Sequence, residues 1–486
     1  MNCYIGIDLG TSSTKGILTD NKGTILRQCT KHYPIESPKE GWFEQSPEEW
    51  LLTVTSVLRE LINGYEFNIK GISFSGQMHG LVVLDKNDRV IRPCILWNDG
   101  RSEKQTADLN KTIGKSRLSS MTGNIAFAGF TLPKLLWMKE NEPENYKRIA
   151  KIMLPKDYLI YRITGVHSTD YSDASGTLLL DVKNKCWSEE LCKEYNIDKK
   201  WLPALHESYY VVGYIKEDFA RQLNLPLKVK VIAGAGDNAA AAIGTNTVAN
   251  GSCNISLGTS GTIFISQDRF SVDVNNAIHS FAHANGKWHL LGCILSAASA
   301  RKWWLENILE SNDYEHDEEI VSICGPTGII FLPYLCGERS PYNDVNVRGA
   351  FLGISLTTTR AQMSKAVMEG VAFAIRDCVE VAKSNGIDIT KASLCGGGAK
   401  SSIWCQIIAD VLQIPVSLAK SEHGPCFGAA LLAMVGCNEY TDVAQASNAC
   451  VKDNFTICPN KSKMHLYDRY YEIYHNLYQK IKDIKI

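Results

Sequence analysis

The segment Ile7-Asp8-Leu9-Gly10-Thr11-Ser12, close to the start of the chain, returns as Ile255-Ser256-Leu257-Gly258-Thr259-Ser260, about half the chain later. In both copies strand-like residues run into a Gly-Thr-Ser turn and resume beyond it. Around the first copy, residues 2–9 alternate as a β-strand and residues 15–19 form a second strand. A turn at Asp20-Asn21-Lys22-Gly23 leads to a third strand at 24–28. An internal repeat constrains architecture before any other signal, and this one predicts two related halves, 1–244 and 245–486. Further outward, strands are expected at 69–74, 228–233, 328–332 and 392–395. Helices are expected at 46–61, 359–383, 401–412 and 464–481. Alternating strands and helices of this kind make an α/β protein.

Composition narrows the function classes. The 486 residues are 45% hydrophobic and carry 51 Lys+Arg against 52 Asp+Glu, a net charge of −1. That balance gives no cationic field for nucleic acid or an anionic membrane, so neither is an expected partner. The 16 cysteines are scattered without a C-x-x-C pair, and a chain this long needs no disulfide staples. With an acid at Asp8 where a signal peptide needs an apolar run, the expected compartment is the reducing cytoplasm.

Four glycine turns could meet a phosphate. Gly114-Lys115-Ser116 lacks the earlier P-loop glycine, because Leu109 stands at that position. Gly234-Ala235-Gly236-Asp237-Asn238-Ala239 has the form of a dinucleotide turn. It lacks the acid about 20 residues on that would hold a ribose, and Asp237 would repel a pyrophosphate. The repeated hairpins remain. Glycine lets backbone approach a phosphate, and amides with the hydroxyls of Thr11, Ser12 and Thr259 supply donors beside Gly258. Asp8 would anchor Mg²⁺ through water; its counterpart Ser256 carries no charge. Lys15 could reach phosphate oxygens or simply be an exposed strand lysine. His279, His283 and His289 suggest a metal, but the intervening residues read as strand or loop and no further ligand has zinc spacing. A zinc site is rejected.

The hairpin pair resembles the phosphate loops of the actin/hexokinase/Hsp70 superfamily. Two longer stretches are similar to the signatures of the FGGY carbohydrate kinases. One runs from Phe130-Thr131-Leu132-Pro133-Lys134 to Glu140-Asn141, and the other from Gly349-Ala350-Phe351-Leu352-Gly353 to Met368-Glu369. Gly76-Gln77-Met78-His79-Gly80, Trp97-Asn98-Asp99-Gly100-Arg101, Leu154-Pro155-Lys156-Asp157-Tyr158 and Gly337-Glu338-Arg339 point to the pentulose kinases within that family.

The resemblance implies two RNase H-like domains with ATP and Mg²⁺ in the cleft between them. It implies D-xylulose as the small-molecule substrate, with ribulose, gluconate or a related polyol as alternatives. A homodimer is left open. Asp237 becomes the proton acceptor, although as an isolated residue it reads equally well as a helix cap. Met78, His79, Asn238 and Trp97 become sugar contacts, against the plainer readings of a loop histidine and a core tryptophan. Gly397 and Gly398 become the adenosine loop. A non-catalytic sugar sensor of the same fold would have no need of both hairpins and Asp237.

Overall fold

The computed structural model describes residues 1–64, 67–419 and 424–484. Its first sheet begins with β1 (Asn2–Leu9), β2 (Ser13–Asp20) and β3 (Ile25–His32), an antiparallel meander. Helix α1 (Pro47–Ile62) follows; Pro47 presets its first turn, and Glu48 and Glu49 meet its positive end. Then β4 (Asn68–Gly76) pairs parallel with β1. After a long insertion come β5 (Val211–Tyr214) and β6 (Lys230–Gly236), giving the order β5-β6-β4-β1-β2-β3. Helix α2 (Asp237–Gly244) leaves directly from β6.

The second sheet repeats the scheme. It contains β7 (Ser252–Leu257), β8 (Gly261–Gln267), β9 (His279–Ala282) and β10 (Trp288–Ile294). A second insertion leads to α3 (Arg360–Ser384), closed at its start by a reciprocal Thr359–Gln362 capping box. The chain continues through β11 (Lys391–Cys395), β12 (Val416–Ala419), α4 (Gly424–Gly436), β13 (Asp453–Ile457) and α5 (Met464–Ile481). The strand order is β9-β10-β8-β7-β11-β12-β13. Thus β12-β11-β7-β8-β10 reproduces β6-β4-β1-β2-β3, and in each half an antiparallel strand covers the outer edge.

Two elements differ from the sequence expectation, each for a local reason. The third strand runs on to His32 because its register with Ser13–Asp20 continues there; as a half-exposed edge strand it loses clean alternation. Strand β6 absorbs Gly234 and Gly236, which had read as a turn, by bulging between Ile232 and Ala235.

The halves are joined by a close helix crossing. Helix α4 is apolar all round and almost wholly buried, as expected of an interior helix. Although it follows the second sheet in the chain, it packs on β1, β4 and β6 of the first, and most extensively on α2. No side chain separates the two backbones: a Cβ on Gly428 would lie 1.8 Å from the Ala240 carbonyl oxygen, and one on Gly244 2.1 Å from that of Gly424. Tyr4, Ile232, Ala240, Phe264, Phe281 and Leu431 belong to one continuous core at this junction. Among the described residues no helix is long and apolar enough to cross a membrane, and all 16 cysteines are free thiols.

Gly428→Ala forces the crossing apart and, as overpacking does, costs about 1–3 kcal/mol. Thermal unfolding followed by circular dichroism should show the melting temperature lowered by several degrees. An unchanged melt would mean that the crossing yields freely.

Candidate active site

The sheet registers decide what meets what. Leu9, Gly76 and Gly236 lie side by side at the carboxyl ends of β1, β4 and β6. The turn Gly10–Ser12, the loop Gln77-Met78-His79 and Asp237 therefore emerge from one edge, where α/β sheets gather ligands. In the second half, Ser256 pairs with Cys395, so the Gly258-Thr259-Ser260 turn and Gly396-Gly397-Gly398 likewise share an edge. A cavity of about 620 Å³ opens between the halves. Asp237, Asn238 and Ala241 line it from the first half, and Asn254, Ser256, Thr262, Gly396, Gly397 and Lys400 from the second. A wider hollow of about 1050 Å³, beside Arg59, Glu60, Gln222 and Pro226, has none of the predicted site residues in its lining.

Asp237 is the first residue of α2, one place beyond the Gly236 cap. Its Oδ1 accepts from the Asn238 amide at 2.7 Å and from Asn238 Nδ2 at 2.9 Å. Its Oδ2 makes no hydrogen bond among the described residues, so the carboxylate is not consumed in capping. Burial, reinforced by the charge of Asp8, pushes its pKa up to about 7. The turn before it is held from behind: the Gly236 amide donates to Ser172 Oγ at 3.1 Å, and Ser172 Oγ donates to Asp170 Oδ2 at 2.5 Å. Asp170 in turn belongs to a solvent-free ion cluster with Lys156, Asp157 and Asp173. The sequence offered no signal for this support beyond the Leu154–Tyr158 similarity.

Asp8 is buried and accepts from Ser75 Oγ at 2.9 Å. Burial raises its pKa, while the Ser75 hydrogen bond and the charge of Lys15, its exposed cross-strand partner, act in the opposite direction. Ser75 could have been anticipated, since it closes the neighbouring parallel strand. No group of three or more His, Cys, Asp or Glu among the described residues could hold a metal unaided. Two carboxyls forced upward by burial, Asp237 also by the charge of Asp8, nevertheless suit a cation delivered with a phosphate ligand.

Met78 is buried and packs against Gly236, where a Cβ would come within 2.9 Å of Met78 Cγ. His79 has a left-handed backbone, φ 71°, unusual for a side chain of its size. Its carbonyl is pinned by Thr131 Oγ1 at 3.1 Å and by buried Lys134 Nζ at 3.0 Å. The ring stacks on Phe130 with centroids 4.6 Å apart, and Nδ1 donates to the Gly176 carbonyl at 2.8 Å. Burial lowers the His79 pKa to about 3. The ring is therefore neutral, with Nε2 left as an acceptor.

The remaining predicted residues divide. Trp97 is not core: it is 46% exposed, and its Nε1 donates to Thr11 Oγ1 at 3.0 Å, tying its own loop to the first hairpin turn. Ser12 and Thr259 are exposed at the two turns, and Thr259 and Gly258 accept backbone hydrogen bonds from Ala297 and Ala298. Gly397 faces open space, whereas Gly398 is buried against Leu257 and Trp404 and serves packing. The three histidines share one aromatic cluster, His283 edge-on to His289 with both rings on Phe264, and His279 and His289 both against Phe281. His279 bonds Asn124 and His283 the Thr247 carbonyl, and among the described residues they form no group that could hold a metal.

Comparison with known proteins agrees with this geometry. Residues 3–244 match the N-terminal domain of the FGGY family of carbohydrate kinases, and residues 253–437 match its C-terminal domain. The chain is 39% identical to a protein named xylulose kinase from Lactococcus lactis subsp. lactis (strain IL1403), over 100% of this chain and 98% of the relative. A crystal structure described as a "xyloylose kinase" from Brucella ovis superposes with a TM-score of 0.94 at 38% identity, covering 99% of this chain and 100% of that one. The gluconate kinase of Lactobacillus acidophilus superposes at 0.95 with 26% identity, covering 100% and 99%. Its two sheets, its paired hairpins and these full-length likenesses together make the chain a member of the FGGY family of carbohydrate kinases.

Proposed function

We propose that the protein phosphorylates D-xylulose to D-xylulose 5-phosphate at the expense of ATP, with residues 1–244 holding the sugar and the first phosphate turn and residues 245–486 the second phosphate turn and the adenosine. The observation that carries the chemistry is Asp237: a carboxylate with one unengaged oxygen, lining the cavity between the halves, with its pKa raised to about 7. A base tuned near the working pH is what proton removal from an alcohol requires. The substrate rests on the xylulose kinase names of the full-length relatives.

In the reaction, Asp237 Oδ2 takes the proton from the primary hydroxyl of the sugar. The freed oxygen attacks the γ-phosphorus in line, and ADP leaves. His79 Nε2 accepts a sugar hydroxyl, Met78 forms an apolar wall, and Asn238 and Trp97 complete the pocket. The Gly10–Ser12 and Gly258–Ser260 turns offer amides and hydroxyls to the phosphates with Lys15, and Gly397 leaves room for the adenosine. Asp8 is the residue that would hold Mg²⁺, which would supply neutralisation of phosphate charge. An aldonate acceptor is the second reading, favoured by the equal superposition of the gluconate kinase. Turnover with ATP across D-xylulose, D-ribulose, gluconate and glycerol decides between them. D-xylulose should lead in kcat/KM, and gluconate ahead by more than tenfold would replace the substrate while leaving the family intact.

Asp237→Asn should keep sugar affinity by calorimetry and lose about 10²- to 10⁴-fold in kcat, the usual share of a general base. Near-normal turnover would remove Asp237 from this role. The pH dependence has a definite sign, since Asp237 must be ionised to act. Its raised pKa makes kcat/KM for the sugar fall as pH drops through about 7, and this limb should vanish from the residual activity of the variant.

A further inference from the structure

The second insertion carries a loop, residues 336–344, whose backbone is tied down on both sides of one projecting cation. Glu338 is buried and its Oε1 accepts from the amides of Leu295 and Arg339 at 2.9 and 2.8 Å. Ser340 is buried, with its Oγ accepting from the Cys293 amide at 3.0 Å and its own amide donating to the Cys293 carbonyl at 3.0 Å. Asn343 Nδ2 donates to the Asn276 carbonyl at 2.8 Å. Between these fixed points Arg339 sends its guanidinium over the ring of Phe127, 5.0 Å from the centroid. That guanidinium makes no hydrogen bond or ion pair among the described residues.

Its surroundings lead back to the sugar loop. Phe127 packs edge-on to Phe130, centroids 5.6 Å apart, and Phe130 stacks on His79. Phe127 also packs against His279 at 5.0 Å. The positive charge of Arg339 contributes to lowering the pKa of both His79 and His279. The adjacent carboxyl does not neutralise it, because burial pushes Glu338 up to about 8. A rigid loop of the second half therefore presents a bare five-donor fork to the aromatic wall behind His79. Asp237 is reached from the same His79 through Met78 and Gly236. The contacts run in sequence from base to histidine to arginine.

We infer that Arg339 is a specificity-determining residue that reads the end of the sugar remote from the phosphorylated carbon, its fork engaging the adjacent oxygens of a terminal hydroxyketone. This rests on the ketose reading given above and adds the residue that selects for it. The planar guanidinium matches two neighbouring oxygens in a way that neither a histidine nor a lysine can. A carbonyl oxygen also accepts in the sugar plane, where a carbinol at the same carbon would present a rotating hydroxyl. Xylitol, identical to D-xylulose except for reduction at that carbon, is the natural control.

Calorimetry without nucleotide, on wild type, Arg339→Gln and Arg339→Lys, compares D-xylulose with xylitol. The wild type should prefer D-xylulose. Arg339→Gln should lose about 10- to 100-fold in D-xylulose affinity, the usual consequence of removing a charged hydrogen-bond donor, and change little toward xylitol. Arg339→Lys should recover only part of the loss. The melting temperature and the KM for ATP should match wild type. Equal losses for both sugars, no loss for D-xylulose, or a loss confined to ATP each overturn the assignment of Arg339 while leaving the substrate reading in place. A wild-type protein that fails to bind D-xylulose overturns both.

Discussion

The approach of two helix backbones with nothing between them is the constraint on which the rest of this molecule depends. Helix α2 begins with Asp237 and ends against α4; α4 reaches across from the second sheet to lie on the first. The contact is possible because Ala240, Gly244, Gly424 and Gly428 keep side chains out of the crossing. Larger residues would separate the helices toward the ordinary interaxial distance of 8–10 Å or more. The cavity between the halves would then widen, and Asp237 would draw away from the strand ends that supply the second half of its lining.

Charge is handled differently on the two sides of the Gly236–Asp237 turn. On one side Asp8 and Asp237 are both left with unfavourable burial, Asp237 also against the charge of Asp8, an arrangement that favours an arriving cation. Behind the turn, Asp157, Asp170 and Asp173 surround Lys156 with no exposed side-chain surface. Buried ion clusters are poor sources of stability. Here the cluster fixes Ser172, and through it the Gly236 amide. The start of α2 is thus held on a rigid mount, while the Asp237 carboxylate itself stays unfavourably buried.

Much of this was legible from the repeat. Ile7–Ser12 and Ile255–Ser260 pointed to two related halves, because hairpin, strand and loop positions are local properties of each copy; the order of strands in the sheets was not legible. Asp237 was harder, since a carboxylate at a helix start is chemically sufficient as a cap; only its free Oδ2 and the facing Asp8 separate the two roles. Trp97, whose plainer reading is a core residue, lies half in solvent, and Gly398, expected in the adenosine loop, is packed against Leu257 and Trp404. What could not be read were contacts between distant insertions. Lys134 on the His79 carbonyl, Lys156 beneath Gly76 and Arg339 over Phe127 depend on where long loops return, and no periodicity encodes that.

The bare crossing of α2 and α4 also bears on motion. Interlocked side chains oppose rotation of one helix against another, because every knob must leave its hole before the next state forms. Two smooth backbones touching over about one turn, Ala240 to Gly244 against Gly424 to Gly428, have no such teeth, so the crossing can serve as a pivot between the halves. Domain closure then requires angular displacement about that point without repacking of the core behind it. Residues near the pivot, Asp237 among them, would move little, while those on the long lever of the second insertion would sweep furthest. A loop stiffened at Glu338 and Ser340 would transmit such a rotation undiminished to its tip at Arg339.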